Sequence, residues 1–128
     1  MPPIEQLQRV PVLLLERLER QGIFTTGLLL EVSETRTRRV YLADQINVTT
    51  NDIDEWRDEA LLLNLAAFGP TEQAILTQAG ITGIEGVLEL DLPTFRDRVI
   101  EAAHTLGLEP PTDLTISGWY DQAHTLVE

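Results

Sequence analysis

Sliding the chain along itself by 58 residues lays Leu7 on Leu65, Leu18 on Leu76, Gly22-Ile23 on Gly80-Ile81, Leu30 on Leu88 and Val32 on Leu90. Further along, a shift of 63 lays Ile53-x-x-Trp56-x-Asp58-x-Ala60 on Ile116-x-x-Trp119-x-Asp121-x-Ala123, and Leu63 on Leu126. The only two tryptophans thus fall in one slot. The second copy carries five more residues between its Gly-Ile and its Trp, which fits an extended connection over Leu108-Glu109-Pro110-Pro111. This reads as two copies of one unit of roughly 60 residues, about 4–65 and 66–128, each too small to bury a good core alone. The two are expected to pack on one another as a single domain.

Within each copy the signals are helical. Leu13, Leu14, Arg17 and Leu18 set an apolar stripe at spacings near 3.6, bounded by Pro11 before it and by Gly22, a natural left-handed residue after a helix. Helices are expected over 26–32 and 35–45, and from Thr49, which forms a capping-box pattern with Asp52, to about residue 65. In the second copy they are expected over 71–79, from a Thr82–Glu85 capping box to about residue 90, over 94–106 with Pro93 near its start, and over 115–126. Alternation nowhere persists, so the fold class is all-α: eight short helices in two sets of four.

Composition removes several kinds of chemistry. The chain has 21 acidic and nine basic residues, a net charge of −12, and every basic residue is Arg. Residues 1–64 hold seven Arg against 11 acids, and residues 65–128 hold two against 10. Such a surface repels phosphate backbones. The lack of Lys removes Schiff-base and P-loop chemistry, and the lack of Cys removes thiol catalysis, thiolate metal sites and disulfides. An apolar fraction of 43% supplies a core, no apolar run approaches the length of a membrane span, and the opening Met-Pro-Pro-Ile-Glu does not read as a signal peptide. A cytoplasmic location without membrane insertion is the expectation.

The second copy runs Ala67-Phe68-Gly69-Pro70, then Ala79-Gly80-Ile81-Thr82, then Trp119; the first runs Gln21-Gly22-Ile23-Phe24-Thr25, then Trp56. In order and spacing this resembles an uncharacterised bacterial family, common in cyanobacteria, built from tandem helix-hairpin-helix-like units. Its members tend to read Gly-Ile-Gly-Pro, a helix, Ala-Gly-Ile/Val-x-Thr, and a Trp near the end of each unit. The resemblance covers nearly the whole chain and implies a fold, two helix-hairpin-helix-like four-helix units, but no activity. In nucleic-acid-binding relatives of that motif, a Gly-h-Gly hairpin offers main-chain N–H groups to phosphate, where any Cβ would block the approach. Here the first copy has Arg9-Val10-Pro11 in that place, and proline has no N–H to give. The second keeps Gly69, followed by Pro70, with Glu72 nearby. Arg9 and Gly69 are what is left to a nucleic-acid interface, and both cradles read as degraded.

Few constellations suggest chemistry. Glu101-x-x-His104 and Asp121-x-x-His124 have the spacing of carboxylate-bridged metal bundles, but His124 aligns with Leu61 and the first copy holds no His. Surface or half-buried histidines are the expectation, with no metal. Ser33 and Ser117, the only serines, sit in no nucleophile motif. Asp52, Asp54, Asp58 and Glu59 complement a helix N-terminus. Gly80, Gly83 and Gly86 lack the spacing of a phosphate loop. The matched tryptophans read as core residues closing their own units, with interface anchors as the alternative.

Two features remain for binding. Arg36, Arg38 and Arg39 form the one basic cluster, either a docking patch or a solvated helix face paired with Glu31, Glu34 and Asp44. Leucine triplets occur at 13–15, 28–30 and 61–63, and three consecutive leucines cannot share one side of a helix. The expected function is therefore a non-enzymatic protein-interaction or adaptor module without cofactor. Its first unit docks another protein through Leu28, Leu29, Arg36, Arg38 and Arg39, while the acidic second unit faces solvent or a basic partner. A homodimer closed by exposed leucines is an alternative to that partner. Nucleic-acid binding through the degenerate hairpins is the rival function.

Overall fold

Most helices of the chain begin and end at devices written in a few neighbouring residues. The computed structural model describes residues 2–126, which form a 3-10 turn at Ile4–Gln6 and eight helices. These are α1 (Val12–Arg20), α2 (Thr26–Val32), α3 (Arg36–Ile46), α4 (Thr50–Leu63), α5 (Pro70–Gln78), α6 (Ile84–Leu88), α7 (Leu92–Thr105) and α8 (Asp113–Leu126). An isolated antiparallel bridge joins Pro3 to Thr25, and the described residues contain no longer strand. The chain divides into two compact units, Met1–Asn64 with α1–α4 and Leu65–Glu128 with α5–α8.

Starts are set by side chains that satisfy orphan N–H groups. Thr25 and Thr35 accept from the main-chain N–H of Leu28 (3.1 Å) and Arg38 (3.2 Å). The Thr49–Asp52 box forms in both directions, at 3.1 and 3.0 Å. The Thr82–Glu85 box does not set the start of α6, which begins at Ile84 with Gly83 in the N-cap position. Helix α7 starts at Leu92, earlier than expected, because the Asp91 carboxylate accepts from Thr94 N–H (2.9 Å) and Pro93 is tolerated in the first turn. Helix α4 ends at Leu63, short of Gly69-Pro70.

Four ends share one geometry. After α1, α3, α5 and α7 a residue turns left-handed: Gly22 (φ 80°), Asn47 (58°), Gly80 (81°) and Gly107 (69°). The next residue returns its N–H to a carbonyl five positions back: Ile23 to Leu18 (3.0 Å), Val48 to Ala43 (2.9 Å), Ile81 to Leu76 (2.8 Å) and Leu108 to Ala103 (2.8 Å). This is the Schellman arrangement, in which glycine escapes the Cβ penalty and asparagine tolerates it. Each such turn sends the chain back across its own unit. In the first unit α3 packs on α1 and α4 packs on α2; in the second α7 packs on α5 and α8 packs on α6.

The aligned apolar slots are core slots. Leu18, Ile53, Trp56 and Ala60 are buried in the first unit, and Leu76, Ile116, Trp119 and Ala123 in the second. Trp119 donates its indole N–H to Ala66 O (2.8 Å) and meets Phe68 edge-on at 5.3 Å. Of the leucine triplet at 61–63, Leu62 and Leu63 are buried and Leu61 is half-buried.

Candidate functional site

The C-terminal end of α2 is where the basic cluster converges. Helix α2 is seven residues long, and its last carbonyls have no partners within the helix. Arg38 donates to Glu31 O (3.1 Å), and Arg39 to Ser33 O (2.9 Å) and Glu34 O (3.1 Å). Arg57, reaching over from α4, donates to Leu30 O (2.9 Å) and Ser33 Oγ (2.7 Å). Three guanidinium groups thus close one negative helix end. Burial lowers the Arg57 pKa from its ordinary value, and the neighbouring Arg39 charge adds to that; Asp54 and Glu34 oppose it. Arg39 also pairs with Asp54 at 3.5 Å.

Arg38 and Arg39 therefore hold the fold, and of the expected docking cluster Arg36 is the member that is exposed with no hydrogen bond or ion pair among the described residues. The expected pairing with Glu31 and Glu34 is made to their main-chain carbonyls instead of their carboxylates. Sequence reading missed Arg57 because it lies 18 residues beyond the cluster.

The hairpin positions are also occupied from within. Gln8 and Arg9 donate their main-chain N–H groups to the Glu59 carboxylate at 2.8 and 3.0 Å, and Glu59 is only 2% exposed. The Arg9 guanidinium bonds Glu55 O (2.9 Å) and Asp58 (2.9 Å). In the second unit Ala66 N–H donates to the Gln122 amide oxygen (3.0 Å), and Gly69 N–H to the Glu72 carboxylate (2.8 Å). Arg9 and Gly69, the residues left to a nucleic-acid interface, are thus committed to internal anions.

Leu29 is a correction: it is 0% exposed, inside the core of the first unit, and cannot meet a partner. Leu28, next to it, is partly exposed. One helical turn further on the same face, Val32 lines a cleft of about 430 Å³ together with Gln21, Ile23, Arg38, Tyr41, Leu42 and Gln45. The cleft lies between the turn after α1, the end of α2 and the outer face of α3. Tyr41 is 70% exposed at its rim, and Phe24, next to Ile23, is exposed as well. A volume of this size suits a side-chain anchor with its flanking main chain. The second unit has a smaller cleft of about 370 Å³, lined by Ala67, Glu72, Glu109, Pro110 and Trp119 among others.

His124 hydrogen-bonds Tyr120 O through Nδ1 (2.9 Å) with its ring tilted 41° against the Tyr120 ring, and His104 is exposed on another helix. Ser33 donates to Leu29 O and receives Arg57. Among the described residues no group of three or more His, Asp or Glu is placed to hold a metal ion, and no helix is long and apolar enough to cross a membrane.

Fold and site together define an all-helical chain of two compact units, with a cleft of mixed apolar and polar lining on the first. The chain belongs to the family described as a domain of unknown function, DUF4332, whose profile matches residues 13–126 and so takes in nearly all eight helices. The expectation of an uncharacterised domain family holds. No curated protein and no solved structure matches the chain.

Proposed function

We infer that this chain is a non-enzymatic protein-interaction module whose first unit takes an apolar side chain of a partner into the cleft beside Tyr41. The carrying observation is the exposure of Tyr41 in the cleft lining, where Val32 is also partly uncovered; Phe24, next to the lining residue Ile23, and Leu28, one turn of α2 before Val32, are exposed as well. Aromatic groups held on a rigid helix beside a concavity are the usual anchors of protein interfaces. The donors of Arg38 that Glu31 O does not use put positive charge on the cleft wall, which favours acidic flanks on the partner, while Arg36 is exposed on α3 outside the cleft lining. The Arg39 side chain belongs to the α2 cap and drops out of the docking set.

The test is affinity capture from the native host with the wild type, a Tyr41→Glu variant and an Arg36→Glu/Arg38→Glu variant. A protein held by the wild type and lost by Tyr41→Glu supports the reading. A protein held equally by all three removes it. Recovery of nuclease-sensitive material, lost on substituting Arg36 and Arg38, supports nucleic-acid binding in its place.

A further inference from the structure

We propose that a second copy of this chain supplies the occupant of the cleft: Leu114, at the start of α8, enters the space beside Tyr41 of the neighbouring molecule. The proposal rests on the reading of that cleft as a docking site and names its partner. Leu114 is 85% exposed, the most exposed large hydrophobic residue described. It is also held rigidly. Pro110 and Pro111 stiffen the approach, Thr112 Oγ1 accepts from Thr115 N–H (3.2 Å), and Thr112 O accepts from Ile116 N–H (3.0 Å). A preorganised apolar group loses little freedom on binding.

Charge selects this residue over the other exposed apolar groups. Leu114 follows Asp113 and lies five residues after Glu109, both exposed carboxylates, in a unit whose only basic residues are Arg96 and Arg98 of α7. The cleft presents Arg38 on its wall. Val12 is almost as exposed, but α1 carries Arg17 and Arg20 alongside Glu16 and Glu19 and so offers the rim no net negative charge. Gln21 and Gln45 offer the cleft further donors and acceptors for the incoming main chain. Plug and cleft are different surfaces, so each molecule can offer one and receive the other.

That asymmetry defines the experiment. Sedimentation equilibrium at low salt is run on the full chain, on Tyr41→Asp, on Leu114→Asp and on an equimolar mixture of the two variants. Both substituted side chains are exposed, so the folds are kept, with circular dichroism as the check. The wild type is expected to rise above its 14.4 kDa monomer mass with concentration, and each variant alone to stay at that mass. The mixture contains one intact cleft and one intact plug, and is expected to form a 1:1 pair of about twice the 14.4 kDa chain. Arg38→Glu is expected to weaken association about tenfold and Asp113→Arg to restore it when mixed in. A wild type that stays monomeric to about 1 mM overturns the proposal, as does association that survives Leu114→Asp. Should Tyr41→Glu still abolish capture of another protein while the chain is monomeric, only the second copy is ruled out and the docking cleft stands.

Discussion

Removing the Glu59 carboxylate tests whether an internal anion organises the first unit. Glu59 sits on α4, and the two N–H groups it receives, from Gln8 and Arg9, lie 51 and 50 residues away in the chain. Its bonds therefore fasten the N-terminal segment to the Trp56 helix. A hydrogen bond to a charged acceptor is worth about 1.5–3 kcal/mol net. Two such bonds, less the desolvation that a buried carboxylate no longer bears, set the cost of Glu59→Ala at about 2–4 kcal/mol. That is a large part of the 5–15 kcal/mol typical of a whole domain.

Glu59→Gln retains one acceptor oxygen, and Gln122 fills the corresponding place in the second unit with a 3.0 Å bond. Its cost is expected to be about half that of alanine. The assay is urea unfolding at pH 7 followed by circular dichroism and tryptophan fluorescence, with and without 100 mM formate. Formate fits the space left by a deleted carboxymethyl group, so it should raise the stability of Glu59→Ala more than that of the wild type. A loss below about 1 kcal/mol for alanine, or a glutamine variant no better than alanine, would refute the reasoning.

Three further outcomes follow from the same geometry. Arg57→Met removes the donor to Leu30 O and Ser33 Oγ and should cost about 1–3 kcal/mol, measured by thermal unfolding; an unchanged midpoint would remove the α2 cap from the fold's support. Ala67 stands at φ 58° without being glycine, so Ala67→Gly should stabilise by up to about 1 kcal/mol, whereas Gly80→Ala at φ 81° should destabilise by about 1–2 kcal/mol. Hydrogen bonds from the Thr94 side chain and main chain hold the Asp91 carboxyl below its ordinary pKa. Its contribution is thus complete above about pH 3.9 and is lost as pH falls through the lowered folded value. Asp91→Ala should lower the melting temperature at pH 7, and that difference should shrink steadily in more acidic buffer.

What could be read in the sequence was what is decided within a turn or two of helix. The Gly22, Gly80 and Gly107 turns, the Thr49–Asp52 box and the repeated apolar slots all fall in that class. Asn47 escaped because it does a glycine's work with a different residue, and Thr82–Glu85 misled because Gly83 occupies the position that the pattern assigns to Thr82. Burial within the leucine triplets was not legible: Leu28 and Leu29 differ only in which way a single helix faces its neighbours. Arg57 and Glu59 act across 24 to 51 residues, beyond any local pattern. A trace of them does exist in the sequence. The shift of 63 that superposes the tryptophans also lays Arg57 on Tyr120 and Glu59 on Gln122. Those pairs are unlike in chemistry, so a comparison by identity passes over them.

The unlike pairs nevertheless do like work. Arg57 ties α4 to Leu30 O at the end of α2, and the Tyr120 hydroxyl ties α8 to Leu90 O just past the end of α6, at 2.9 Å in both cases. Five of the first unit's seven arginines donate to main-chain carbonyls: Arg9, Arg17, Arg38, Arg39 and Arg57. The basic residues of that unit are chiefly caps for helix ends and loops, a role that in the second unit falls partly to an uncharged phenol. Charge density in the sequence is accordingly a poor guide to the docking surface proposed above. The arginines drew attention to α3 for one reason, while the exposed Tyr41 on that helix carries the proposal for another.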